Sequence, residues 1–420
     1  MHRAVIEELR ADVPLERRLA AARSDFRALL DRALDGDELS VENGITCLTV
    51  EGDDLLALIA TADAIRRADV GDDVTYVVNR NINFTNICFV GCRFCAFKRQ
   101  RWEADAYNVP IESLLAKVQE AVDRGATEIC MQGGINPDMP PLGYRDVLRA
   151  IKHAFPAIHM HAFSPMEIMY GSRRANMTYR DYLAMLKDEG LGTIPGTAAE
   201  ILDDDVRELL SHKKVDVSTW VEIVTTAHAL GIPSTSTVMY GHVETPRHVA
   251  AHLALLRTLQ KETGGFTEFV PLRFIHTNTE MYRDGLVGDP PPKGVYDLRM
   301  YACSRLLLRG SIDNIQTSWV KINHDLAQLS LMAGCNDFGG TLMEESISRE
   351  AGADAGEYTP VEEIQRLVRG VGRRPVERTT LYKKVGVPEE AVARAKEAEV
   401  DGAGGRSRSR EVPARSHPLH

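Results

Sequence analysis

Apolar residues recur at two different spacings along the chain, and the change between them falls near residue 73. Before that point they mark single faces of helices, as Phe26, Leu30 and Leu34 do. From Val74 to Phe84, a run rich in Val, Ile, Tyr and Phe predicts a buried strand. Strand-like and helix-like segments then alternate. The pattern therefore predicts a helical segment followed by repeated strand–helix units.

The alternating part of the chain contains eight strand-like segments. Alternation at this pace is typical of parallel βαβ units. Because eight units occur without a dinucleotide-type switch point, the sequence predicts an α/β fold with a closed (β/α)8 TIM-type barrel, not a doubly wound sheet. The predicted strands cover residues 74–84, 127–131, 158–163, 191–194, 234–240, 266–274, 313–317 and 335–338.

The same patterns predict four segments. They are an N-terminal helical cap (1–73), the core barrel (74–340), a C-terminal helical extension (341–400) and a polar, disordered tail (401–420). The net charge of −10 over 420 residues argues against nucleic-acid binding. The N-terminus lacks an apolar signal core and no run of 18 apolar residues occurs, so we expect a cytoplasmic protein without a membrane span.

Three of the seven cysteines lie in the segment that follows the first predicted strand. Cys88, Cys92 and Cys95 form a C-x3-C-x2-C pattern. Thiolates are the preferred ligands of iron–sulfur clusters, and a complete 4Fe–4S site takes four. With three, one iron keeps an open position for a small molecule. Two alternatives stay open: ordinary buried cysteines, and a structural zinc site, which usually presents paired C-x2-C knuckles. The spacing favours a cluster.

Polar residues follow several other predicted strands, at the end where α/β barrels place their active sites. Gln132-Gly133-Gly134 ends the second strand, and two glycines allow a ligand close to the backbone. Glu200 follows the fourth strand and Tyr240 ends the fifth. A plain turn and a surface helix residue are the alternatives for the glycines and for Glu200. Further candidates for holding a polar substrate are His161, Ser164, Glu167, Arg273, His276, Gln316, Ser318, Asn336 and Asp337.

The cysteine spacing resembles that of the radical S-adenosylmethionine (SAM) superfamily, in which an aromatic residue, here Phe94, commonly precedes the third cysteine. The resemblance implies one 4Fe–4S cluster per chain, with SAM chelating the open iron through its methionine end. It also implies that Glu200 receives the SAM ribose and the stretch at Tyr240 the adenine. The usual Gly-Gly-Glu is Gln132-Gly133-Gly134-Ile135 here, so only its backbone role for the methionine amino group transfers.

Longer stretches resemble the family of the second subunit of deazaflavin (FO) synthase. They are VVNRNINFTNICFVGCRFCAFKR, MQGGINP, HAFSPMEI, GLGTIPGTAAEIL, PLRFIHTNT and CNDFGGTLMEE, within roughly residues 40–385. The resemblance implies a transferase that breaks the Cα–Cβ bond of L-tyrosine and joins its 4-hydroxybenzyl group to 5-amino-6-(D-ribitylamino)uracil, on the way to coenzyme F420. Because the cysteine motif occurs once, it implies one half of the synthase, with subunit 1 and an electron donor as separate partners.

Two alternatives to this activity remain open at the level of sequence. Radical SAM enzymes of the futalosine route to menaquinone share the barrel, the cysteine motif and much of the surrounding sequence. A protein of another class, a non-catalytic iron–sulfur or zinc regulator, would also use clustered cysteines. It would not explain the glycine motif after the second strand or the eight-fold alternation.

Overall fold

Four helices lie between residue 13 and the first strand in the computed structural model, which describes residues 7–9, 11 and 13–386. They are α1 (Leu15–Ala21), α2 (Ser24–Asp35), α3 (Val41–Cys47) and α4 (Gly52–Val70). Phe26, Leu30 and Ile59 are buried, as expected from their helical spacing. The predicted division of the chain into four segments stays a prediction. Its tail (401–420) and the last part of its extension lie outside the described residues.

Strands and helices alternate from Asp73 onward. The strands are β1 (Asp73–Val77), β2 (Asn79–Asn83), β3 (Glu128–Gln132), β4 (His159–Ala162), β5 (Leu191–Thr193), β6 (Ser234–Tyr240), β7 (Phe266–Arg273), β8 (Asp337–Gly340) and β9 (Arg374–Glu377). The helices are α5 (Ile111–Asp123), α6 (Gly143–Ala154), α7 (Pro165–Ala175), α8 (Tyr179–Asp188), α9 (Asp204–Ser211), α10 (Val217–Ala229), α11 (Pro246–Thr263), α12 (Glu280–Arg283), α13 (Val295–Leu307), α14 (Trp319–Ile322), α15 (His324–Ser330), α16 (Ser346–Ala351) and α17 (Val361–Arg369).

Parallel pairing closes the strands into a ring. β1 and β2 form one strand with a break at a single residue. Its first half, β1, pairs with β8, and its second half, β2, pairs with β3. Pairing continues through β4 to β5 and, by a bridge between Ile194 and Ser234, to β6 and β7. The predicted seventh strand is reduced to bridges at Ile315 and Gln316, which reach β7 and β8. The predicted (β/α)8 barrel is confirmed.

The strand β9 was not predicted, because residues 341–400 read as helical only. It pairs in parallel with β1, beside the end of the barrel where the strands begin. The next residue, Arg378, turns into the barrel and contacts the carboxylates of Asp337 at 2.5 Å and Glu268 at 3.3 Å. All three side chains are buried. The C-terminal segment therefore closes this end of the barrel.

Several helices within the barrel were also not predicted, and α7 and α9 are the two with eight or more residues. α7 begins at Ser164, whose hydroxyl accepts from the Glu167 N–H while the Glu167 carboxylate accepts from the Ser164 N–H at 2.7 Å. α9 begins at Asp203, whose side chain accepts from the Val206 N–H. α7 follows β4 closely, whereas a longer loop separates α9 from β5. α9 reaches the mouth of the barrel, where the Leu210 carbonyl accepts from the Arg93 N–H at 3.0 Å. None of the described helices is long and apolar enough to cross a membrane.

Candidate active site

Two connected cavities lie inside the barrel and at its mouth. The first, which we call the cysteine cavity, has a volume of about 250 Å³. The second, the barrel cavity, has a volume of about 230 Å³ and lies within the ring of strands. Six residues line both cavities: Gln132, Thr197, Thr237, Leu272, Lys321 and Ile347. A molecule in one cavity would therefore contact a molecule in the other at this junction.

The loop that carries the three cysteines is fixed by hydrogen bonds. The Cys88 N–H donates to the Arg99 carbonyl at 3.0 Å. The guanidinium of Arg99 donates in turn to the carbonyl oxygens of Ala96 at 2.8 Å and Lys98 at 3.1 Å. Gly91 turns the loop with a φ of +76°, a conformation that favours glycine. The positions of the thiols are thus set by the local fold.

The three motif cysteines share the cysteine cavity. Burial raises the pKa of Cys92 to about 11 and also raises that of Cys95. Thiols in such surroundings hold their protons until a metal displaces them, because the thiolate is the ligand form. The other four cysteines, all in the described part of the chain, lie elsewhere: Cys130 lines the barrel cavity, and Cys47, Cys303 and Cys335 are buried away from both cavities.

The donor set fits a cluster better than a single ion. Within residues 13–386, no three His, Cys, Asp or Glu side chains converge so as to hold one metal ion. Structural zinc requires such convergence, because all its ligands bind one ion. The thiolates of an iron–sulfur cluster bind separate irons, so three cysteines that line one cavity suit it.

The glycine pair after β3 lets the cysteine loop pack on the strand end. A Cβ on Gly134 would lie 2.3 Å from the carbonyl oxygen of Ile87, and one on Gly133 would lie 2.7 Å from the ring of Phe84. The Gly133 N–H donates to the Glu167 carboxylate at 3.0 Å. Close protein packing, besides the predicted approach of a ligand, therefore requires glycine at both positions.

Glu200 lies on the wall of the cysteine cavity. Its carboxylate pairs with the ammonium of Lys214 at 2.5 Å and lies 3.7 Å from the guanidinium of Arg207. Burial lowers the pKa of Lys214, but the charges of Glu200 and Cys92, together with the hydrogen bond to Glu200, hold this pKa above its ordinary value. The Lys214 ammonium also lies 5.0 Å from the ring centre of Phe94. These contacts hold a carboxylate and an aromatic ring beside the cysteines.

Tyr240 and Arg273 both contact the buried carboxylate of Asp297. The hydroxyl of Tyr240 donates to Asp297 at 2.8 Å, and Arg273 pairs with the same carboxylate at 2.6 Å. Arg273 reaches the wall of the cysteine cavity, whereas Tyr240 lines neither cavity and its neighbour Met239 lines the first. The expected contact between adenine and the backbone of the stretch at Tyr240 stays a prediction, because it does not involve this side chain.

The remaining predicted residues divide between the cavities and the core. His161 and Gln316 line the barrel cavity, and Ser164 lines the cysteine cavity. Burial lowers the pKa of His161 to about 4, so its ring is neutral at neutral pH. Asp337 and His276 are buried and line neither cavity, because Asp337 pairs with a basic side chain and His276 packs among aromatic rings. The structure therefore does not bring these two side chains to either cavity.

A row of asparagines on β2 was missed by the sequence prediction. Asn79, Asn81 and Asn83 alternate along the strand, so all three face the barrel cavity. Asn79 donates to Glu128 at 2.8 Å. The Oδ1 atoms of Asn81 and Asn83 are buried and have no hydrogen-bond partner among the described residues. The N-x-N-x-N alternation was the available signal. These oxygens can accept hydrogen bonds from a polar ligand.

A parallel (β/α)8 barrel with this cysteine loop at the carboxyl end of its first strand defines a radical SAM enzyme. Residues 82–256 match the model of the radical SAM superfamily, and residues 263–391 match that of the CofH/MqnC C-terminal region. This membership implies a 4Fe–4S cluster and SAM as cofactors, and it sets aside the alternative of a non-catalytic regulator.

Curated relatives define the family more closely. The chain is 49% identical over 359 residues to the 5-amino-6-(D-ribitylamino)uracil–L-tyrosine 4-hydroxyphenyl transferase of Methanothermobacter thermautotrophicus, a match that covers 86% of this chain and 97% of that protein. The chain belongs to this family. It is also 50% identical over 364 residues to the FO synthase of Nocardia farcinica, with 86% of this chain but 42% of that protein covered. It thus spans less than half of that relative.

Solved structures support the fold. The FeFe-hydrogenase maturase HydG from Carboxydothermus hydrogenoformans aligns with a TM-score of 0.67 over 91% of this chain and 86% of that one, at 15% sequence identity. At this identity the likeness concerns the barrel and its flanking elements, not the substrate.

Proposed function

We propose that this protein is a radical SAM transferase that moves the 4-hydroxybenzyl group of L-tyrosine to 5-amino-6-(D-ribitylamino)uracil, in the formation of deazaflavin FO and coenzyme F420. The match to a transferase of this name over 97% of that relative's length carries the proposal. The connection between the cysteine cavity and a polar barrel cavity supports it, because the reaction needs a radical source next to a site for two polar substrates.

We assign one 4Fe–4S cluster per chain to Cys88, Cys92 and Cys95, and we place SAM beside it in the cysteine cavity. When bound, the cluster and SAM supply the radical that removes a hydrogen atom from the substrate. Glu200 would accept hydrogen bonds from the ribose hydroxyls, and its pairing with Lys214 holds it in place. The barrel walls keep water away from the reacting groups.

The barrel cavity suits the pyrimidine substrate. The ribityl chain and the uracil ring carry hydroxyl, amino and amide groups but no net charge, so they require hydrogen-bond partners. Besides its ionisable side chains, this cavity is lined by uncharged polar ones, among them His161, Gln316 and Ser318. The free amide oxygens of Asn81 and Asn83 add two acceptors for hydroxyl or amino hydrogens. We therefore place the pyrimidine in the barrel cavity.

The partners follow from the length of the relatives. Because this chain covers 42% of the FO synthase from Nocardia farcinica, we propose that it performs one half of that reaction. The activity of subunit 1 would then complete the deazaflavin, and an external donor would reduce the cluster. A cytoplasmic location stays a prediction.

Product analysis tests the proposed reaction. The anaerobically reconstituted protein, given SAM, a reductant, ring-labelled tyrosine and the ribityl pyrimidine, should form an adduct with the labelled carbons, and 5′-deoxyadenosine should rise with it. Cys88→Ala should lose both products, because the cluster cannot assemble, whereas Cys47→Ala, buried away from both cavities, should retain them. If tyrosine stays intact and deoxyadenosine instead forms with a futalosine-type substrate, the menaquinone activity replaces the proposal.

A further inference from the structure

Lys321 stands at the junction of the two cavities and lines both. It belongs to α14, just after the reduced seventh strand. The Lys321 N–H donates to the Ser318 carbonyl at 2.9 Å. The neighbouring Trp319 is buried, and its indole N–H donates to the Gly340 carbonyl on β8 at 3.0 Å. The backbone that carries this ammonium is thus anchored to the barrel wall.

The ammonium of Lys321 has no ion-pair partner among the described residues. The other lysine and arginine side chains that line the cavities are each paired with a carboxylate: Lys98 with Glu280, Lys214 with Glu200, Arg273 with Asp297 and Arg378 with Asp337. The charges that act on Lys321 are those of Glu345 and Cys95, and burial lowers its pKa. The carboxylate of Glu345 accepts hydrogen bonds from Asn81 and Ser348.

A cation held in a cavity without a carboxylate in ion-pair contact is unfavourable, unless a ligand supplies the anion. Of the molecules that the proposed function brings to these cavities, the ribityl pyrimidine is uncharged. SAM carries a carboxylate, but in the arrangement that the superfamily implies, its methionine end would bind the open iron, which would supply the counter-charge. The α-carboxylate of L-tyrosine is the remaining anion.

We propose that Lys321 binds the α-carboxylate of L-tyrosine at the junction of the two cavities. This inference rests on the proposed function. It explains why one lysine is left unpaired where every other basic chain along the cavities has its carboxylate. It also places the amino-acid part of tyrosine between the radical source in the cysteine cavity and the acceptor in the barrel cavity. Lys321 would therefore be a substrate-binding residue.

Binding of tyrosine and of tyramine, which lacks the carboxylate, tests this role. Equilibrium dialysis would use the anaerobic, cluster-loaded protein with SAM and without reductant. Wild type should prefer tyrosine, and Lys321→Met should weaken tyrosine binding at least about 30-fold while tyramine binding changes little, as expected when one partner of a buried charge pair is removed. Iron content and SAM affinity of the variant should match wild type. Lys261→Met, an exposed lysine on the outer helix α11, should bind tyrosine normally.

Three results would overturn the assignment. Unchanged tyrosine affinity in Lys321→Met would exclude the contact. An equal loss for tyrosine and tyramine would show damage to the cavity instead of loss of a carboxylate contact. A loss of SAM affinity with normal tyrosine binding would assign Lys321 to SAM. If wild type itself neither binds tyrosine nor forms the adduct, the proposed function fails first, and the inference falls with it.

Discussion

At the scale of the residue, the packing of the cysteine loop on the end of β3 depends on Gly134. A methyl group there would lie 2.3 Å from the Ile87 carbonyl oxygen and 3.0 Å from the Cβ of Cys88, so the loop would have to move. We expect Gly134→Ala to lose about 1–3 kcal/mol of stability through overpacking. It should also bind less iron per chain after anaerobic reconstitution, because one ligand is displaced. Iron and sulfide assays would measure this.

Gly288→Ala is the matched control for this substitution. A Cβ at Gly288 would meet no atom within 4 Å, so we expect wild-type iron content and a stability change within about 0.5 kcal/mol. Full iron loading of Gly134→Ala would show that the loop tolerates the displacement.

The residues of the site differ in how far the sequence could predict them. The three cysteines were predictable, because their spacing along the chain is itself the chemical signal. Lys321 was not, because what distinguishes it is the absence of a carboxylate partner, and that depends on the packing of distant segments. For Tyr240 the sequence predicted a backbone contact only, and the hydrogen bond of its side chain to a buried carboxylate on α13 could not be predicted, because it depends on a distant helix.

At the scale of the element, β9 and the residue after it close the barrel. Removing the guanidinium of Arg378 would leave the buried carboxylates of Asp337 and Glu268 without a counter-charge. We therefore expect Arg378→Met to lose about 3–5 kcal/mol of unfolding free energy. Equilibrium denaturation of the anaerobic protein would measure the loss.

Arg374→Met on the same strand provides the comparison. Arg374 pairs with Asp73, but 74% of its side chain is exposed, so we expect a loss of about 0–1 kcal/mol. Similar losses in the two variants would mean that the strand pairing of β9, and not the buried ion pair, closes the barrel.

Elements whose own sequence has a clear pattern were predicted accurately, and elements that depend on distant contacts were not. β6 was predicted to the residue, since Ser234–Tyr240 is a β-rich run bounded by turn residues. β9, with the sequence RPVE, has no such pattern, and its place depends on β1 and on buried ion pairs. α7 was missed although Ser164 and Glu167 form a capping box. Most of its residues are buried, so its sequence lacks the regular helical spacing of apolar and polar positions.

At the scale of the whole molecule, several histidines are buried and are neutral in the folded protein. Burial lowers the pKa of His161 and His228 to about 4 and that of His252 to about 3. Because these values lie below the unfolded value near 6.5, the unfolded chain binds more protons as the pH falls, and each histidine then destabilises the fold. Burial raises the pKa of Glu167 and Glu268 to about 7, which acts in the opposite direction over the same range.

A variant of His252 isolates one of these opposing effects. Its Nδ1 accepts from the Leu202 N–H at 3.0 Å, and its Nε2 lies 2.9 Å from the Thr237 carbonyl, so the neutral ring uses both nitrogens and protonation would break the first contact. The amide of His252→Gln can accept and donate in the same way without titrating.

Between pH 7.5 and 5.5, we expect the variant to lose roughly 1 kcal/mol less unfolding free energy than wild type. Urea denaturation at the two pH values gives this difference directly, because the other buried groups cancel in the comparison. Parallel pH dependence of the two proteins would show that His252 titrates alike in the folded and unfolded states.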